Sequence, residues 1–190
     1  QDVELIIVGT ITPDRQFPST ACLVQEEIGA KKAACFDISA ACSGFIHGLI
    51  IAKQFISTGE YKNALVIGAE VLSSIVDWTD RNTCVLFGDG AGACVLAPTK
   101  SAGIISSYMG SDGSAAELLH IPAGGSKMPA SYDTVKAKLH YLKMSGNEVF
   151  KAAVRIMSDS AKKALAKCGL SCKDVALIVP HQANIRIINA

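Results

Sequence analysis

Short apolar runs without strict polar alternation limit what this chain can fold into more than any other feature. Val3–Val8 (VELIIV) and Ala33–Ile38 (AACFDI) are of strand length, and each carries a single acidic residue. A strand with one wet face alternates apolar and polar residues, whereas one covered on both faces need not. Helix-like segments separate these runs: Ser19–Ile28, opened by a Ser cap after Pro18, and Cys42–Thr58, closed by Gly59. Ala64–Ile67 and Val71–Leu72 then flank a glycine in a third strand. This βαβα order predicts an α/β layered fold with strands covered on both faces.

After Asp77 the pattern changes. Thr83–Leu96, containing FGDGAGACVLA, and Gly103–Tyr108 are predicted as neighbouring strands, with glycines where backbones approach closely. Residues 112–138, rich in Gly, Ser, Pro and Ala, are predicted as a surface excursion. Ser145–Cys168 is predicted as a long amphipathic helix with Val149, Ala152, Ala153, Ile156 and Ala164 on its apolar face and Gly169 as its stop. Asp2–Val8 (DVELIIV) is echoed by Asp174–Val179 (DVALIV), which suggests a duplicated half with a second strand there. If the halves are equivalent, the counterpart of the Cys42 seam lies beyond Ala190.

A chain of 190 residues, 49% of them hydrophobic, is long enough to bury a substantial core. Lys and Arg number 18 against 17 Asp and Glu, a formal charge of +1, so no global field draws it to nucleic acid or to an anionic membrane. The seven cysteines form no CxxC pair, which favours reduced thiols in a cytoplasmic compartment. No apolar run reaches the roughly 18 residues of a membrane span, and no signal-peptide pattern is present, so a soluble protein is expected.

Two stretches carry chemistry. In FDISAACSGF, Cys42 falls at a strand-to-helix seam, where free helical N–H groups favour a thiolate, although the default reading of a cysteine in such an apolar run is a small buried hydrophobe, which the placement weakens without overturning. The helix behind it is apolar nearly all round, and Gly44 and Gly48, four apart, permit close contact with another helix. In VPHQAN, an apolar strand delivers His181 and two amides at its end, the position where α/β folds place reacting groups. His47 and His140 read as structural residues, and His120, near the end of ELLHIP, is uninformative. The glycines of FGDGAGA run into a strand rather than opening a helix, so they read as packing and turn devices rather than a phosphate loop. Cys168 and Cys172 lack the partners of a metal site.

Taken together, DISAACSGF, FGDGAGA, MSGNEVFKAAV and VPHQANIRII resemble the β-ketoacyl-acyl carrier protein synthase III family, the initiating condensing enzymes of dissociated fatty acid synthesis. The HQAN separates this family from elongating condensing enzymes, which use two histidines, and from thiolases, which use a second cysteine. The resemblance implies a thiolase-like duplicated layered α/β fold (α-β-α-β-α), incomplete at both termini. Residues 1–100 would be the remainder of the N-terminal half and 101–190 the first part of the C-terminal half.

It further implies that Cys42 takes an acetyl group from acetyl-CoA. His181, with an asparagine beyond this sequence, would activate malonyl-acyl carrier protein for decarboxylating condensation. CoA thioester and carrier-protein phosphopantetheine would be substrates, with no metal or organic cofactor. Arg81 resembles the arginine beside the CoA adenine; Trp78 does not match by position the tryptophan that stacks opposite it. Phe17, contributed by the partner of a homodimer, with Phe87, Leu119, Met144, Phe150 and Ile187 resemble pocket or tunnel residues, and Asn147 and Asn184 polar groups near the pantetheine arm. Lys151 and Arg186 match positions where the acidic carrier protein docks. Without the third catalytic residue the isolated chain is expected to be inactive and poorly soluble. The alternatives are a starter enzyme of a polyketide or quinolone pathway, a cysteine-dependent acyl hydrolase, and a non-catalytic homologue.

Overall fold

The computed structural model describes residues 2–101 and 103–190. The chain divides into two compact units, one of residues up to Val71 together with 89–105, the other of 72–88 together with 106–190.

The first unit is organised around strand β1, Leu5–Gly9. It pairs in parallel with β2 (Ala34–Ile38) on one side and β3 (Ala64–Val71) on the other, and β4 (Asp89–Leu96) adds antiparallel to β3, giving the order β2-β1-β3-β4. The period of two sends its side chains alternately to opposite faces. Leu5 and Ile7 join Ala52, Ala64 and Val66 under helix α2 (Gly44–Thr58). Ile6 and Val8 join Ala21, Ala30 and Ala33 under helix α1 (Thr20–Glu27). Leu5, Ile6, Ile7 and Val8 are all fully buried, and each such side chain contributes about 1.5–3 kcal/mol. The missing alternation in VELIIV is therefore that of a central strand between two helical layers.

Two local devices fix the helices on this sheet. Ser19 caps α1 by accepting from the Cys22 amide, and the Asp37 carboxylate of β2 accepts from the Thr20 and Ala21 amides at 2.7 and 2.8 Å. At α2, Gly44 lies against the backbone of Gly9 and Gly48 against Val66 and Ile7. The small-residue stripe thus meets the sheet, not another helix as the sequence suggested. The outer side of α2 remains open, with Ile46 57% exposed. Gly59 ends the helix in the left-handed conformation.

The second unit holds the short antiparallel pair β5 (Leu119–His120) and β6 (Lys143–Met144), with helices α3 (Tyr132–Lys136), α4 (Gly146–Ala166) and α5 (Ile185–Asn189). The predicted excursion is thus partly ordered. Gly169, with φ of 71°, follows α4 as expected. Ile156, assigned to the apolar face of α4, is 47% exposed, while Met157 beside it is half-buried. No helix among the described residues is long and apolar enough to cross a membrane.

Three predicted strands differ. The segment before β4 is turn, with Cys84 and Leu86 amides bonded back to Asp80 and Thr83, so the strand starts only at Asp89. Residues 106–108 are instead tied to α4: the Ser106 hydroxyl donates to Ala164 O at 2.7 Å and the Lys167 ammonium to Ser107 O at 3.0 Å. Val175–Val179 carries no ladder partner among the described residues, and Leu177, Ile178 and Val179 are exposed. Strand propensity cannot act without a neighbouring strand. The glycines at 88, 90 and 92 also depart from the packing role expected, since a Cβ on any of them would meet nothing within 4 Å; β4 is an edge strand.

The contact at Gly9 is the tightest of these approaches, because an added Cβ would lie 2.6 Å from the Gly44 carbonyl carbon. Gly9→Ala is expected to destabilise the protein by about 3 kcal/mol, read as a lowered urea midpoint, whereas Gly92→Ala leaves it nearly unchanged.

Candidate active site

The candidate nucleophile sits where the parallel strands of the first unit end. β2 finishes at Ile38, and Ala41–Ser43 forms a single 3-10 turn that runs directly into α2. Ala41 takes φ of 44°, the left-handed region that costs a residue with a Cβ roughly 1–2 kcal/mol. The chain thus turns sharply just before Cys42, which is exposed.

Burial of the sulfur by surrounding protein is the largest influence on this thiol and pushes its pKa above the ordinary 9.0. A main-chain N–H at Cys42 itself works in the opposite direction, and the Glu70 carboxylate adds to the rise. The sequence suggested a thiolate favoured by helical N–H groups; here desolvation outweighs them.

Glu70 was not singled out by any motif, yet it organises this end of the sheet. It lies near the end of β3 and accepts from the Ile11 amide at 3.0 and 3.2 Å, from the Thr12 hydroxyl at 2.6 Å and from the Thr10 hydroxyl at 3.4 Å. The Thr12 hydroxyl in turn accepts from the Val71 amide at 2.7 Å. The loop leaving β1 is therefore fastened to the end of β3. The available signal was a carboxylate at the close of an otherwise apolar strand.

Beyond that loop lies Phe17, 86% exposed. It borders a cavity of about 590 Å³, lined also by Ile11, Cys22, Cys35, Phe36 and Asp37; Cys42 is not among its walls. Burial, with the nearby Cys22 and Asp37 adding to it, holds the Cys35 thiol up at about 11.

The other sequence-derived residues belong to the second unit. Leu119 and Met144 face one another as register partners across β5 and β6. Asn147, Phe150 and Lys151 follow at spacings of three and four on the first turns of α4, with Phe150 half-buried and Asn147 and Lys151 exposed. His181 is exposed, and Asn184 caps α5 by accepting from the Arg186 amide at 2.9 Å. Arg186 and Ile187 lie on α5, which packs against α4. Arg81 is exposed and Phe87 half-buried. His120 and His140 are hydrogen-bonded to Glu117 O and to the Thr134 hydroxyl at 3.1 and 3.0 Å, in keeping with structural roles.

Arg81 belongs to a turn that spacing alone did not reveal. The Asp77 carboxylate accepts from the Thr79 amide and hydroxyl at 2.9 and 2.6 Å and from Lys138 Nζ at 3.0 and 3.2 Å. The bonds from Thr79, then Lys138, hold its carboxyl down at about 2. The stabilisation this brings is fully present above the ordinary carboxylate range and is lost progressively as pH falls from that range to about 2.

A family profile described as 3-oxoacyl-[acyl-carrier-protein (ACP)] synthase III matches residues 36–113. The β-ketoacyl-[acyl-carrier-protein] synthase III of Caldanaerobacter subterraneus subsp. tengcongensis is 57% identical over 191 residues, covering 100% of this chain and 58% of that protein. The chain thus spans little more than half the length of such relatives. The crystal structure of 3-oxoacyl-[acyl-carrier-protein] synthase III from Aquifex aeolicus VF5 is similar with a TM-score of 0.86 and 50% identity, covering 98% of this chain and 56% of that one. The priming β-ketosynthase of the R1128 polyketide biosynthetic pathway is similar with a TM-score of 0.88 and 36% identity, covering 99% and 55%. The fold is thiolase-like α/β, a mixed sheet with helices.

Alkylation of Cys42 by iodoacetamide is expected to rise with pH along a curve displaced above that of a free cysteine. Removing the negative charge in Glu70→Gln favours the thiolate and shifts the curve downward. Site-resolved labelling by mass spectrometry across pH 7–11 (about the range in which thiols titrate) reads both effects.

Proposed function

The chain belongs to the β-ketoacyl-[acyl-carrier-protein] synthase III family, and from that premise we propose that the protein initiates fatty acid synthesis by decarboxylating Claisen condensation. The observation that carries this reading is Cys42, an exposed thiol after a strained turn at the carboxyl end of a parallel sheet.

In the first step the Cys42 sulfur attacks the thioester carbonyl of acetyl-CoA. The bond to the CoA sulfur breaks, and the thiol proton leaves with CoA as its free thiol. The thiol proton departs as the carbon–sulfur bond forms, and the departing CoA thiolate is its final acceptor. The covalent intermediate separates acyl transfer from carbon–carbon bond formation.

In the second step malonyl-acyl carrier protein loses CO2, and the enolate carbon attacks the acetyl-Cys42 carbonyl. Acetoacetyl-acyl carrier protein is released, and Cys42 regains its thiol by taking up one proton. His181 donates a hydrogen bond to the developing enolate oxygen, where preorganised donors act most strongly. A second donor, an asparagine outside this sequence, completes that site.

Arg81 takes the nucleotide end of CoA. Phe87, Leu119, Met144, Phe150 and Ile187 line the acyl and pantetheine path with Asn147 and Asn184. Lys151 and Arg186 meet the acidic carrier protein. The protein works in the cytoplasm as a homodimer in which Phe17 reaches the partner's pocket, and it uses no metal or organic cofactor.

A second reading is favoured by the likeness to a priming β-ketosynthase: a starter enzyme that takes a longer or branched acyl-CoA into a polyketide pathway. Incubating the protein, with its natural flanking sequence, with acetyl-CoA and mapping adducts by peptide mass spectrometry tests both. An acetyl thioester on Cys42, absent from Cys42→Ala and discharged into acetoacetyl-carrier protein only with malonyl-carrier protein, is expected. Labelling by longer acyl-CoAs alone would favour the second reading, and acyl release to water without malonyl-carrier protein would indicate a hydrolase.

A further inference from the structure

We propose that Lys138 is a positioning residue that clamps the Asp77–Arg81 turn and so holds Arg81 for the pyrophosphate-bearing nucleotide end of an acyl-CoA, an inference that rests on the CoA reading of Arg81.

The backbone around Lys138 shows that its side chain is used. Helix α3 ends in paired bonds, Leu139 N to Thr134 O and Lys138 N to Val135 O, both at 3.0 Å. This is the Schellman arrangement, in which the residue after the cap is left-handed and is most often glycine. Lys138 occupies that position with φ of 56°. A glycine would fit the backbone without strain, so the ending itself does not call for lysine.

The ammonium supplies the reason. Lys138 Nζ donates to both Asp77 oxygens, at 3.0 and 3.2 Å, and to the Thr79 hydroxyl at 2.8 Å. Asp77 is 8% exposed and lies 61 residues away in the chain. The clamp therefore joins the excursion carrying α3 to the turn carrying Arg81.

The turn carrying Arg81 is held at several points. Asp77 O accepts from the Asp80 amide at 2.9 Å, while the Asp80 carboxylate accepts from the Asn82 amide at 3.0 Å and the Thr83 hydroxyl at 2.9 Å. Thr83 is 2% exposed, so buried groups anchor both ends of the segment. Trp78 is held by its indole N–H, which donates to Ser73 O at 3.2 Å. Arg81, between these anchors, is exposed and takes part in neither ion pair found among the described residues.

Charge favours the same ligand. Two carboxylates, Asp77 and Asp80, precede Arg81 in sequence, and both would compete with an anionic phosphate for its guanidinium. Lys138 neutralises the buried one, leaving the Arg81 guanidinium to act on the ligand. Loss of the ammonium would free the turn and leave the Arg81 guanidinium beside an uncompensated carboxylate that competes with the ligand for it.

The test measures CoA binding by calorimetry on the protein with its natural flanking sequence, for Arg81→Ala, Lys138→Gly and the double variant. Each single variant is expected to weaken CoA binding about tenfold, with kcat at saturating acetyl-CoA kept in Lys138→Gly. The double variant should bind no more weakly than Arg81→Ala alone, because the clamp acts through Arg81. Lys138→Gly also relieves the left-handed strain at the cap, so weakened binding without a lowered melting temperature would separate the clamp from general unfolding. Unchanged binding in Lys138→Gly beside weakened binding in Arg81→Ala would overturn the clamp and leave the CoA reading standing. Losses that multiply in the double variant would also overturn it. Unchanged binding in Arg81→Ala would remove the CoA reading of that residue, and the clamp with it.

Discussion

The contact between the backbones of Gly9 and Gly44 sets the geometry on which the candidate nucleophile depends. Gly9 is the last residue of β1, and Gly44 the first of α2. With no Cβ on either, the helix start sits directly on the strand end, two residues after Cys42. Gly48 and Ala52 continue the same line of small residues along the sheet, and Gly68 leaves room for Phe45. The thiol's place at the mouth of the sheet thus follows from a stripe of missing side chains. Close packing of this kind tolerates little displacement.

Glu70 makes the second connection at this end. Its carboxylate collects the loop leaving β1 through one amide and two hydroxyls, and it also opposes ionisation of Cys42. One group therefore ties loop position to nucleophile chemistry. Asp37 performs a related service at the start of α1, and Asp77 does so in the second unit, where Lys138 meets it from a helix cap. In each case a short acidic side chain satisfies amides that a turn or helix start leaves without main-chain partners.

Legibility in the sequence followed the range of the interactions involved. α1 with its Ser19 cap, α2 with its Gly59 stop and α4 with Gly169 were readable because caps and left-handed glycines act within a few residues. Val175–Val179 and residues 103–108 were misread because strand formation needs a partner that composition does not supply. Ile156 was placed on the wrong side of α4 because small residues and a semi-buried Met157 define its face more than hydrophobicity alone. Cys42 and His181 were found through motifs, whereas Glu70 and Lys138 were not, since their partners lie 58–61 residues away.

The sequence by itself determined the central buried strand, the helices that cover it, the strand-to-helix seam at Cys42 and the family to which the chain belongs. Each is written in local pattern: continuous apolar runs, caps, glycine stops and contiguous motifs. The tertiary structure decided which surface the glycine stripe meets, that the glycines of β4 face open space, that the Cys42 thiol is raised rather than lowered, and that Lys138 neutralises Asp77. Those outcomes depend on desolvation and on charges brought together from distant positions. Both are properties of packed neighbours rather than of neighbouring letters.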